Sequence, residues 1–170
     1  IPNNSPTSTH KNTLVHGAQV HLKQPDHGTY LGMCGGSQGC SGSKHGVFGY
    51  PSSSDSRTTW TVVREGNYIH LKQANHNAYL GFCGNDHGCN GSSHGAYGYS
   101  SRSHHRTKFQ IEQSGSYYYL KQVDHSYLGM CGNQNWCSGS HHGVLGYSSK
   151  KSRTRWQIVL VSSTTTVNVA

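Results

Sequence analysis

The sequence predicts an all-β protein built from one unit used three times. Three observations carry this: a repeat of about 48 residues, four short strand signals in each copy, and no stretch with a sustained helical period. Residues 20–63 set against 69–112 agree at 22 of 44 positions without a gap. A third copy, 119–159, follows the same plan with one residue lost before Tyr127 and another before Arg153. The shared wording is Leu-Lys-Gln, a His, Tyr-Leu-Gly, a Cys-Gly…Cys loop, Gly-Ser, His-Gly, Gly-Tyr, then Arg-Thr and an aromatic.

In the first copy, 20–23 alternates apolar and polar residues and reads as a strand, followed by a turn at 24–28. Tyr30-Leu31 begins a second strand, interrupted by the loop between Cys34 and Cys40. A third strand is expected at 47–50. A Ser-rich loop then leads to a fourth at 58–63, with Trp60 and Val62 on one face. Turns at 64–67 and 113–116 pass the chain from copy to copy. Three units are too few for a propeller, and a solenoid would need capping units. Twelve strands with threefold pseudo-symmetry predict a β-trefoil, a six-stranded barrel closed by three hairpins, with a β-prism as the alternative. Leu22/Leu71/Leu120, Leu31/Leu80/Leu128 and Trp60/Phe109/Trp156 are then layers of one core. The expected organisation is a single domain over 16–161 with polar extensions at 1–15 and 162–170.

The core must be economical: hydrophobic residues are 32%, mean hydropathy is −0.70, and there are 22 glycines. Formal charge is +8 with 14 histidines neutral, so behaviour should depend on pH between about 5 and 7. No apolar segment has membrane length. Catalysis is not expected. No carboxylate recurs in all three copies, and there is no Gly-x-Ser-x-Gly elbow or phosphate-cradling glycine loop. Nucleic acid is not an expected partner; Tyr117–Tyr119 and the basic stretch at 150–155 are the nearest approach to such a surface. Six cysteines at equal spacing predict one local disulfide per copy, Cys34–Cys40, Cys83–Cys89 and Cys131–Cys137, and hence a secreted, extracellular protein. A start at Ile1-Pro2 reads as a processed, mature product.

The segment Leu-Lys-Gln-Pro-Asp-His-Gly-Thr-Tyr-Leu-Gly-Met-Cys-Gly-Gly-Ser (22–37) resembles the repeat opening of bivalve-type β-trefoil lectins: Ile-Lys-His, a short turn, aromatic-Leu, then His-Pro-x-Gly-Gly. The resemblance covers all three copies, about 20–159. It implies non-catalytic binding of galactose-type sugars at one site per repeat. The signature His corresponds to Gly32, Gly81 and Gly129, so the motif is not retained. One of its glycines persists at Gly35, Gly84 and Gly132; the other is Gly36, Asn85 and Asn133.

The recurring polar residues are the candidate glycan or metal contacts. They are Asp26 and His27, Asn75 and His76, and Asp124 and His125 at the first turn. His45, His94 and His142 stand before a glycine, and Tyr50, Tyr99 and Tyr147 after one. Asx-His pairs can hydrogen-bond a sugar diol or, with a second His, ligate a divalent metal, but Asp and Asn also favour turns for backbone reasons. No cofactor is required. The polar 1–13, and 162–170 with its alternating β-branched residues, suit docking onto copies of the same chain. The Gly/Ser/His/Tyr-rich composition resembles that of extracellular fibre proteins, including bivalve byssal material. The expected function is therefore a self-assembling structural block, with a soluble multivalent lectin as the alternative.

Overall fold

The computed structural model describes residues 14–34, 46–74, 77–82, 96–123, 126–130 and 143–161. They form β1 (Gln19–Gln24), β2 (Thr29–Met33), β3 (Val47–Tyr50), β4 (Trp60–Glu65), β5 (Tyr68–Gln73), β6 (Tyr79–Phe82), β7 (Ala96–Tyr99), β8 (Phe109–Ser114), β9 (Tyr117–Gln122), β10 (Tyr127–Met130), β11 (Val144–Tyr147) and β12 (Gln157–Leu160).

Antiparallel pairing runs β12–β1–β4–β5–β8–β9, and a Tyr118–Trp156 bridge joins β9 to the start of β12. Those six strands close a barrel. The other six pair as hairpins, β2 with β3, β6 with β7 and β10 with β11. Bridges from Gly46 to Tyr97 and from Phe48 to Gly143 tie the hairpins together across one end. This is the β-trefoil that the threefold repeat predicts, and the prism is set aside.

All nine predicted core positions are fully buried. Alternation along each strand explains it: in β9, Tyr118, Leu120 and Gln122 are buried while Tyr117, Tyr119 and Lys121 are half-buried on the outside. Trp60 and Trp156 also donate their indole N–H to the carbonyls of Leu31 and Leu128, both at 2.9 Å. Each indole thereby fastens a barrel strand to the hairpin of its own repeat.

Three details depart from the sequence reading. The fourth strand begins at Trp60 rather than residue 58, because Ser56–Thr58 is a 3₁₀ turn. The buried Thr58 hydroxyl donates to the Asp55 carbonyl at 2.7 Å, and Thr107 and Thr154 repeat the bond to His104 and Lys151 at 2.9 Å. The strand then runs on to Glu65, leaving a two-residue turn in which Gly66 has φ +59°; Gly115, at φ +61°, does the same after β8. Such tight hairpins need left-handed backbone, which glycine supplies without steric cost. Finally, the Gln of each Leu-Lys-Gln is buried rather than part of an open turn. The Gln73 amide donates to the Ser56 carbonyl, and that of Gln24 to Ser152, each at 3.2 Å. Each therefore stitches its own repeat to the 3₁₀ turn of the preceding one around the ring, and a buried amide demands such partners.

Cys34 is buried. The predicted pairings Cys34–Cys40, Cys83–Cys89 and Cys131–Cys137 all involve residues outside the described ones.

Candidate functional site

The first-turn pair is described in one repeat only. Asp26 and His27 are exposed on the β1–β2 turn, where Gly28 takes φ +63°. Gln24 makes the turn: its carbonyl accepts the Gly28 N–H at 3.0 Å, and its side-chain oxygen accepts the His27 N–H at 2.8 Å. The Asp26 carboxylate lies 3.4 Å from the Arg155 guanidinium, so it serves a contact across the barrel instead of a turn bond. Asn75, His76, Asp124 and His125, with His45, His94 and His142, lie outside the described residues. Among the described residues no cluster of three His, Cys, Asp or Glu could hold a metal ion.

The Gly-Tyr positions are described in all three repeats, and they do one thing. Tyr50, Tyr99 and Tyr147 close the hairpins by pairing with Tyr30, Tyr79 and Tyr127, and each ring folds over a glycine of the adjacent strand. A Cβ at Gly32 would stand 2.3 Å from the Tyr50 ring, with the Arg57 carbonyl 3.2 Å away. At Gly81 the Tyr99 ring would be 2.6 Å away, and at Gly129 the Tyr147 ring 2.5 Å. No side chain fits there. These are the positions where the bivalve-lectin resemblance would set the signature His, and a tyrosine ring fills that space. The Tyr99 hydroxyl donates to the Phe82 carbonyl at 2.9 Å. Burial pushes the Tyr50 and Tyr147 phenols up, partly offset by Arg57 and Arg153, so both stay neutral at physiological pH.

What the sequence reading missed is the row that these tyrosines complete. Register places Lys23 opposite Tyr30 and Tyr30 opposite Tyr50; Lys72, Tyr79 and Tyr99 repeat the row, as do Lys121, Tyr127 and Tyr147. In each, the Lys ammonium lies over the middle ring, at 5.7, 6.0 and 5.6 Å from its centroid. A second basic group approaches the outer ring in two repeats: Arg57 at 5.6 Å from Tyr50 and Lys151 at 5.9 Å from Tyr147, whereas His104 leans on Tyr99 at 5.1 Å. The signal was present, since Leu-Lys-Gln and Tyr-Leu-Gly are the two most regular phrases of the repeat. Pairing them needed only the hairpin register, with Lys six or seven residues before Tyr. Chemically, a row of phenols and an ammonium on a half-exposed strand face can meet the apolar face of a sugar and bind an anionic substituent.

No family model matches the sequence, and no curated protein matches it. Solved structures do resemble it in fold. A ricin B-like lectin of Macrolepiota procera, solved in complex with lactose, is 16% identical with a TM-score of 0.65, over 85% of this chain and 96% of that one. SeviL, solved bound to asialo-GM1 saccharide, is 10% identical with a TM-score of 0.62, over 86% and 99%. The BEL β-trefoil is 12% identical with a TM-score of 0.68, over 86% and 95%. The chain is a β-trefoil, the fold that these structures share. At these identities the likeness is one of fold, without preference for the bivalve type.

Proposed function

We propose that this chain is a non-catalytic structural protein, a lectin-like β-trefoil block that is secreted and joins copies of itself through its terminal extensions into an extracellular, byssus-like fibre or matrix. The observation that carries this reading is where the threefold pattern breaks. Leu160 stands where the other repeats have Arg64 and Gln113, and it is 52% exposed. Val159 beside it is 45% exposed, and Val15 is 47% exposed. These are the large hydrophobic residues left open among the described ones, Val15 on the segment that leads into β1 and the other two at the end of β12. The Val161 N–H donates to the Gln19 carbonyl at 3.0 Å, and Arg64 binds the Leu14 carbonyl at 2.6 Å. Exposed apolar residues at both ends of an otherwise polar domain mark surfaces that get covered. A second copy meeting one of them with 1–13 or 162–170 makes a head-to-tail contact that need not close, so it builds filaments.

Sedimentation velocity and electron micrographs test this. The full chain should form concentration-dependent higher species. Deleting 1–13 and 162–170, or introducing Val159→Glu with Leu160→Arg, should leave a folded monomer. If full-length and altered chains are equally monomeric at high concentration, the reading is wrong.

The alternative, a soluble multivalent lectin, is favoured by the three Lys-Tyr-Tyr rows and by the saccharides in two of the structural relatives. Three weak sites would gain avidity on clustered glycans. Glycan-array binding that disappears on joint substitution of His27, His76 and His125 would put this reading first.

A further inference from the structure

The three rows are alike, but their surroundings are not, and in the third repeat they merge into a single cationic face. The outward residues of β1 are Gln19, His21 and Lys23; those of β5 are Tyr68, His70 and Lys72; those of β9 are Tyr117, Tyr119 and Lys121. Around β9 each tyrosine is covered by its own cation. Arg155 lies 4.9 Å from the Tyr117 ring, Lys150 5.1 Å from Tyr119, Lys121 5.6 Å from Tyr127 and Lys151 5.9 Å from Tyr147. Arg153 adds a fifth charge beside Tyr147. Two carboxylates face this group, Glu112 at 2.5 Å from Lys150 and Asp26 at 3.4 Å from Arg155. Five cations against two carboxylates leave the face strongly positive. The Lys121–Tyr127–Tyr147 row crosses three strands, or about 10 Å at the usual strand spacing.

We propose that this outer face of the third repeat docks a sulfated polysaccharide. The rings are tucked beneath their cations, which therefore project along a ledge of three half-buried tyrosines and the buried Tyr147. That arrangement offers ammonium and guanidinium groups to fixed anions such as sulfate esters, with apolar ring edges beside them for the sugar. It does not offer the bare aromatic faces on which nucleic-acid bases stack. The six evenly spaced cysteines suit an oxidising compartment, where sulfated glycans are the abundant polyanions. This inference stands apart from the assembly reading: it uses none of Val15, Val159, Leu160 or the terminal extensions.

The test is biolayer interferometry of the full chain on immobilised heparin, with desulfated heparin, a single-stranded oligothymidine and polyglutamate as competitors. Two variants remove the same net charge. One is Lys121→Gln/Lys150→Gln/Lys151→Gln, and the other, outside all three Lys-Tyr-Tyr rows, is Arg64→Gln/Arg102→Gln/Lys108→Gln; each takes out one lysine that pairs with a glutamate. The first should bind heparin at least about tenfold more weakly and the second within about twofold of the parent, with steep salt dependence in the parent and the second variant. Equal losses in the two variants would reduce the effect to diffuse net charge and overturn the proposal. So would no binding, equal competition by desulfated heparin, or tighter binding of oligothymidine or polyglutamate. Circular dichroism checks folding. Should the first variant fail to fold, Lys150→Gln/Lys151→Gln, both on an exposed loop, should still lose about threefold. No loss there also overturns it.

Discussion

Inside the barrel, Leu22, Leu71 and Leu120 are interchangeable; one residue earlier on the same strands, His21, His70 and Tyr119 are three different environments. His21 gives its Nδ1 to the Thr58 carbonyl at 3.0 Å. His70 is buried, with Nδ1 at 3.0 Å from the Thr107 hydroxyl and Nε2 at 2.6 Å from the Glu65 carboxylate. Tyr119 instead lies under Lys150. The difference is one of shared space. Inward side chains from three repeats meet around one axis, so a change in any of them must be absorbed by the other two. Outward side chains meet their own hairpin and 3₁₀ turn and at most one neighbouring strand, as His70 meets Glu65, so each repeat can carry its own chemistry there.

Breaking the inside should cost most. Trp60→Ala removes a fully buried ring and its bond to Leu31, and should destabilise by about 3–5 kcal/mol in a urea melt. The exposed Gln110→Ala on the outer face of β8 should stay within about 0.5 kcal/mol.

The hairpins give an intermediate case, because their tyrosines are neither inside nor free. Gly81→Ala forces a methyl between the Tyr99 ring and the Arg106 carbonyl, 2.6 and 3.0 Å away, and should cost about 1–3 kcal/mol. Adding Tyr99→Ala should make that methyl nearly harmless, so a double-mutant cycle must show strong coupling; additive effects would mean the ring does not fill the space.

The smallest effect sharpens the contrast between His70 and its counterparts. Hydrogen bonds from His70 and Lys108 hold the Glu65 carboxyl below its ordinary value of 4.5. Its ionised form therefore stabilises the fold above that unfolded-chain value, and the gain is lost as pH falls through the lower folded value. Thermal melts of parent and Glu65→Gln should differ near pH 6 and converge on acidification; a constant difference would show that the ion pair contributes nothing pH-dependent.

The fold was legible because its signals are local and said three times: alternation along the strands, Trp60 with Val62, Gly-containing turns. The ends of the fourth strand were less so, since Thr58 looks β-forming until its hydroxyl is seen to hold a 3₁₀ turn. The candidate site was legible only as residue types. Tyr50 was visible as a recurrent tyrosine, but its packing on Gly32 joins residues eighteen apart in the chain, across the segment that holds Cys34 and Cys40. The Lys-Tyr-Tyr rows were hidden for a simpler reason. Their members look like scaffold until register sets them side by side.

The Gln24 bond to Ser152 and the pairing of β1 with β12 make the junction between last and first repeats equivalent to the junctions that the chain crosses covalently. In energetic terms the barrel has no first repeat. A permuted chain opened at the tight turn between Gly66 and Asn67, with residues 16 and 161 linked, should reach the same barrel. Folding of the native order, conversely, cannot finish until segments about 130 residues apart have found each other. The meeting of the two ends should then be the slow step, and it falls on the strand that leaves Val159 and Leu160 exposed.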